Sequence, residues 1–191
     1  MPTPSVDRFY EQYAIYLLGY GEVFVSVIHI IQAFQEFWQE VKMVRLSEVT
    51  KDNLEALLEL KISEKQEGFV SSVANSLAQA YVYHETAFPF AIYDDDIVVG
   101  FIMFGFYEAR DQYTLWKFLI DEHFQNMGYG KAALEQGLSY MKERFATKEI
   151  YTGVALGNDV AKRLYISLGF EQTGLIEDNM EELKYIYEQC D

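Results

Sequence analysis

Between Tyr113 and Arg144 the chain carries three things in succession. An apolar run, YTLWKFLID, leads through a glycine-bearing turn, QNMGYGK, into a segment whose Leu134, Leu138 and Met141 recur at helical spacing. A strand delivered through a tight turn into a long helix cannot go on as a hairpin; the helix must cross back over the sheet. Just upstream, Phe88–Tyr93 and Ile97–Phe106 flank Asp94-Asp95-Asp96, a turn signal, and read as an antiparallel hairpin. One sheet therefore has to hold both antiparallel and helix-crossed strands.

The remaining pattern fits that demand. Val44–Val49 reads as a short strand, and Thr50, Asp52 or Asn53 can cap a helix carrying Leu54, Leu57, Leu58 and Ile62. A second helix is expected over Val70–Tyr83. After the Gly130–Arg144 helix come a strand at Glu149–Val154 and a helix at Asn158–Leu168 closed by Gly169. Strands at Phe170–Gly174 and Leu183–Tyr187 complete the chain. The order βααβββ, then αβαββ, predicts a mixed α/β fold of α+β character with helices on both faces of its sheet.

Residues 1–42 stand apart from a domain expected over 43–191. Residues 13–34, YAIYLLGYGEVFVSVIHIIQAF, hold one formal charge, Glu22, and the window is long enough to span a bilayer. Gly19 and Gly21 also permit a hairpin, and Gln32–Lys42 reads as an amphipathic helix. Three readings compete: a packed accessory element, a membrane or partner anchor, and a segment outside the natural protein whose domain begins at Met43. A signal peptide is not expected, because no small-residue cleavage site follows the apolar run.

Composition narrows the function. Fifteen Lys+Arg against thirty Asp+Glu give a net charge of −15, most of it on 43–191. That argues against a nucleic-acid partner, which requires a basic face, and suits a cationic one. A single cysteine, Cys190, excludes an intrachain disulfide framework and points to a reducing cytoplasm. His29, His84 and His123 are too scattered to suggest a metal site, so no metal is expected.

The densest chemical signal is Gln125-Asn126-Met127-Gly128-Tyr129-Gly130-Lys131. The first turn of a helix presents unpaired N–H groups and a partial positive charge. Glycines let a phosphate approach them, and Lys131 adds a cation. A simple tight turn into a helix fits the same residues. A Walker loop does not, because one residue separates the glycines and Ala132 follows the lysine. The match to the dinucleotide fingerprint G-x-G-x-x-A is weak, since DEHFQNM intervenes between strand and first glycine.

Gln125, Gly128 and Gly130 occupy the positions of the [Arg/Gln]-x-x-Gly-x-[Gly/Ala] turn of the Gcn5-related N-acetyltransferases (GNAT). Asn158, Ala161, Leu164, Tyr165, Gly169 and Phe170 follow in the spacing N-x-x-A-x-x-L-Y-x-x-x-G-F. Over roughly 44–187 the chain resembles that family, and WKFLID and FQNMGYGKAAL resemble its bacterial spermine/spermidine acetyltransferase branch. The resemblance implies a largely antiparallel sheet splayed in a V between the fourth and fifth strands. It implies acetyl-CoA as co-substrate, lying in the V with its pantetheine along Phe118, Leu119 and Ile120. The amides from Gln125 to Lys131 (Gln125, Asn126, Met127, Gly128, Tyr129, Gly130, Lys131) would hold the diphosphate. Asn158 would reach the pantetheine, with Lys162 near the cofactor's polar end. Tyr165 would act as general acid toward the departing thiolate, although a core tyrosine is the plainer reading of that residue taken alone.

The expected reaction is acetyl transfer to a primary amine, foremost a polyamine such as spermidine or spermine. An aminoglycoside or a protein amine is the alternative acceptor, and a non-catalytic CoA-binding sensor is the alternative of another class. Some polyamine acetyltransferases carry a Glu in the central strand where Trp116 stands here, so the general base is left to Glu108, Asp121, Glu122 or a water chain. Glu64, Glu67, Glu108 and Trp116 are the acceptor-binding candidates. A membrane partner is expected only if residues 13–34 insert, and a homodimer is left open.

Overall fold

The computed structural model describes residues 44–63, 66 and 68–188. The expectations for residues 1–42 and for Glu64, Glu67 and Cys190 lie outside the described residues. Elements follow the expected order: β1 (Arg45–Glu48), α1 (Leu54–Leu58), α2 (Val73–Val82), β2 (Ala87–Asp94), β3 (Ile97–Tyr107) and β4 (Gln112–Ile120). Then come α3 (Tyr129–Phe145), β5 (Glu149–Ala155), α4 (Asp159–Ser167), β6 (Glu171–Glu177) and β7 (Met180–Ile186). The seven strands lie in the order β1-β2-β3-β4-β5-β7-β6, and every pairing is antiparallel except β4 with β5.

Strand alternation divides the core. Phe90 and Ile92 of β2, Ile102 and Phe104 of β3 and Leu115 of β4 meet Ala133, Leu134, Leu138 and Met141 of α3, with Tyr165 of α4 in the same cluster. The alternate residues Ala87, Ala91, Phe101, Met103 and Leu119 meet Leu57 of α1 and Val73 and Ala80 of α2. Burial of β3 on both faces explains its unbroken apolar run.

Local chemistry moves several expected boundaries. The second helix starts at Val73, not Val70, because the Ser72 side chain accepts a hydrogen bond from the Asn75 amide at 3.2 Å. The first helix stops at Leu58, and Thr50 does not cap it. Asn53 sits at the cap position, and its side chain ties back to β1, accepting from the Thr50 amide at 2.8 Å and donating to the Glu48 carbonyl at 3.0 Å. The last two strands are longer than expected. They meet at Asp178-Asn179, where both residues have positive φ, +49° and +61°, the backbone that a twisted two-residue hairpin requires.

One irregularity decides where the site forms. Met103 of β3 faces Lys117 of β4 while the next residue, Phe104, faces Leu115, so Trp116 is an extra residue, a bulge. Bulges bend the strand that carries them. β4 pairs with β5 only at Thr114–Tyr151 and Leu115–Thr152, and beyond the bulge the two strands part. This is the V-shaped splay expected between the fourth and fifth strands.

Candidate active site

From Lys117 to Ile120, β4 keeps its ladder to β3 but has none on its other edge, and Gly153–Ala155 of β5 pair only with β7. Two strand edges thus face each other across a gap. The gap is a cleft of about 520 Å³, lined by Leu115–Ile120, Thr152–Ala155, the glycine turn, α4 and the α1–α2 connection. That volume is ordinary for a small-molecule site. At its closed end the Thr152 hydroxyl donates to the Leu115 carbonyl at 3.3 Å, a side-chain bond that supports the last paired residues.

The mouth of α3 opens on the same cleft. Gly128 takes φ +89° at the N-cap, a left-handed conformation that suits glycine, and Asn126 precedes it at φ +61°. The bond closing the first turn runs from the Ala132 amide to the Gly128 carbonyl, so the amides of Gly130 and Lys131 precede the helical ladder. A Cβ at Gly130 would lie 3.4 Å from Leu164 and 3.7 Å from Phe118, so glycine there keeps the cleft wall thin. Gln125 fixes the turn: its side-chain amide donates to the Ile120 carbonyl at 2.9 Å and to Gln66 at 2.7 Å.

Tyr165 stands at the inner end, 6% exposed and still part of the cleft wall. Burial raises its hydroxyl pKa to about 12, against an opposing pull from its hydrogen bond with Thr152. Asn158 also lines the cleft; its Oδ1 accepts from the Ala161 amide at 3.2 Å and caps α4. Trp116 lies flat on Gly105, where a Cβ would come within 2.1 Å of the indole, and Tyr83 meets it edge-on at 5.8 Å.

The cleft brings together Phe118, Leu119, Ile120, Gln125, Asn126 and Gly128. Gly130, Lys131, Asn158, Tyr165 and Trp116 join them. Three expected residues have side chains elsewhere. Met127 is an exposed side chain off the lining, and the Tyr129 ring is buried in the core with its hydroxyl on Asp94. Lys162 is taken by Glu181 of β7 at 2.6 Å.

The expected bases are also elsewhere. Glu108 is exposed in the single 3₁₀ turn between β3 and β4, and Glu122 is exposed beyond β4. Asp121 accepts from the Lys61 amide (2.8 Å), the His123 amide (3.0 Å) and the His123 ring (2.8 Å), which makes it a turn-forming carboxylate. Sequence reasoning missed Lys117, Ser71 and Thr152, all on the lining. The bulge that turns Lys117 inward leaves no trace in residue type, so only the register reveals it. Among the described residues no group of three or more His, Cys, Asp or Glu could hold a metal, and no helix is long and apolar enough to cross a membrane.

A diphosphate carried on a pantetheine arm suits these surfaces. The unpaired edge of β4 offers amide and carbonyl groups to an amide-bearing chain, and the α3 mouth offers amides and Lys131 to an anion.

The family model described as "Acetyltransferase (GNAT) family" matches residues 51–170. The chain is 31% identical over 146 residues to the "Probable spermine N(1)-acetyltransferase" of Bacillus subtilis subsp. natto (strain BEST195), covering 73% of this chain and 95% of that one. The same figures hold for the "Spermine/spermidine N(1)-acetyltransferase" of Bacillus subtilis (strain 168). Among solved structures, the spermidine N-acetyltransferase from Vibrio cholerae in complex with CoA and spermine aligns with a TM-score of 0.62 at 15% identity, over 76% of this chain and 96% of that one. The chain belongs to the GNAT family and is an acetyl-CoA-dependent N-acetyltransferase.

Proposed function

We propose that the protein transfers the acetyl group of acetyl-CoA to a primary amine of a polyamine such as spermidine or spermine, with Tyr165 as the general acid. The observation that carries the reading is the opening of β4 from β5 at Leu115–Thr152 with the Tyr165 phenol at its inner end. The names of the Bacillus relatives and the net charge of −15 support a polycationic acceptor.

Acetyl-CoA, when bound, supplies an activated acyl carbon joined to a thiol leaving group. The edge of Phe118–Ile120 would hold its pantetheine, and the amides of Gly130 and Lys131, with the positive end of α3, its diphosphate. Asn158, its Oδ1 already committed to α4, would use its Nδ2 toward the same arm. Tyr165 keeps its proton throughout the neutral range, so its hydroxyl would stand ready to donate as charge develops on the departing sulfur.

The test is thiol release from acetyl-CoA over a panel of polyamines, aminoglycosides and peptides. Spermidine or spermine should give the highest kcat/KM. Tyr165→Phe should lower kcat by roughly 10²- to 10⁴-fold while CoA still raises the melting temperature. CoA binding without turnover of any amine would instead leave a sensor. Turnover of peptides alone would move the acceptor to protein amines.

A further inference from the structure

An amine attacks only in its neutral form and must shed another proton as the new bond forms, so the site needs a proton acceptor near the end occupied by Tyr165. Among the described residues, the cleft lining holds no Asp, Glu or His; its titratable side chains are Tyr165, Lys131 and Lys117. Lys131 sits in the first turn of α3, beyond the outer end of β4. Lys117 is different. It lies on β4 just past the last paired residue, Leu115, a separation of about 7 Å at ordinary strand rise.

Lys117 also lies on the other side of the gap from Tyr165. The bulge sends Trp116 into the cluster under α1 and α2, and Lys117 donates from Nζ to the Ser71 hydroxyl at 3.3 Å, on the connection leading into α2. Tyr165 belongs to the cluster under α3 and α4. The parted strands thus place a phenol on one side of the opening and an amine on the other.

We infer that Lys117, in its neutral form and positioned by Ser71, is the proton acceptor of the acetyl transfer. The inference rests on the acetyl-transfer reading above. In the step, the acceptor nitrogen forms a bond to the acyl carbon and gives a proton to the Lys117 Nζ. The carbon–sulfur bond breaks, and the sulfur takes the Tyr165 proton. Lys117 then returns its proton to water and Tyr165 takes one back, so the step from the neutral amine yields the amide and the thiol with no net proton; the one proton of the overall reaction is the one the ammonium sheds before attack.

Burial lowers the Lys117 pKa from its ordinary value, which raises the neutral fraction at mildly alkaline pH. Around it are Ser71, Met103 of β3, and Trp116 and Leu119 of its own strand, none of them charged. The charged residues of the α1–α2 connection outside the described set are Glu64, Lys65 and Glu67.

The experiment compares wild type, Lys117→Met, Lys117→Arg and Glu64→Gln/Glu67→Gln in kcat against pH at saturating spermidine and acetyl-CoA, with CoA thermal shift as the check on folding. Carbon-13 NMR of labelled lysine side chains titrates Lys117 in the wild type without substrates. The expected results are a kcat drop of about 10²-fold or more in Lys117→Met, loss of the wild-type acidic limb, and no rescue by Arg. The NMR midpoint should fall below those of the other lysines. Rescue by Arg, an unchanged pH profile in Lys117→Met, loss of the limb in Glu64→Gln/Glu67→Gln, or a Lys117 midpoint among the others would each overturn the role. Should Lys117→Met fail to fold, the NMR midpoint and the Arg variant decide. Wild type that turns over no amine overturns the acetyl-transfer reading and this inference with it, whereas turnover with an indifferent Lys117→Met overturns this inference alone.

Discussion

Single atoms decide much of this site. Gly105 is defined by what it lacks: the indole of Trp116 occupies the place of its Cβ, with the nearest ring atom 2.1 Å from where that carbon would be. Replacing Gly105 by Ala should push the indole off β3 and into the cleft or toward Tyr83. We expect a loss of about 1–3 kcal/mol in urea denaturation and a shift in tryptophan emission. The same change should raise KM for the amine more than for acetyl-CoA, because Trp116 faces the α1–α2 side. Unaltered stability and emission would show that the ring has slack the packing does not suggest. Tyr165 and Lys117 make the complementary point, since the desolvation that raises one pKa and lowers the other favours the uncharged form of each.

At the scale of elements, the segment joining β4 to α3 is held by Asp121 rather than powered by it. Burial alone would raise the Asp121 pKa, but bonds from the Lys61 and His123 amides and the His123 ring more than offset this, so its carboxyl titrates below the ordinary 3.8. A carboxyl depressed on folding stabilises the fold above its unfolded pKa, and that contribution disappears as pH falls through the folded one. Asp121→Asn should therefore cost about 1–3 kcal/mol at pH 7, and the gap to wild type should narrow below pH 4. A gap that stays constant down to pH 3 would contradict the assignment.

How legible each element was follows the same physics. α3 was readable because its apolar residues follow the helical period, and β3 because its apolar run is unbroken and buried on both faces. β6 was half missed: every residue of Glu171–Glu177 is exposed, so no alternation marks it, and Gly174 at φ +86° interrupts the pairing. The α3 mouth was visible because its glycines, which taken alone fit a simple tight turn, stand at a fixed distance before the Asn158–Phe170 block. The proposed acid–base pair was half visible: Tyr165 sits in a spaced motif, whereas Lys117 depends on a register shift that no residue type announces.

For the whole molecule, charge is the property that matters. With a net −15, the chain should draw polycations by its long-range field even though the described cleft lining carries no acidic side chain. Raising ionic strength from about 20 to 300 mM shortens the screening length severalfold. KM for spermine should then rise at least about threefold, with kcat nearly unchanged and a smaller rise for a monoamine. Equal salt sensitivity for spermine and a monoamine would remove the field from the account.

The bulge at Trp116 makes the cleft depend on one residue of β4. Losing that one residue would let the strand zip onward against β5, closing the gap in which a thioester would lie. Every later side chain would keep its face, because Met103 already pairs with Lys117 and Phe104 with Leu115 on either side of the extra residue. A one-residue deletion here would close the space between the proposed positions of Tyr165 and Lys117, whereas a loop elsewhere on the surface would absorb the same deletion without consequence for the chemistry.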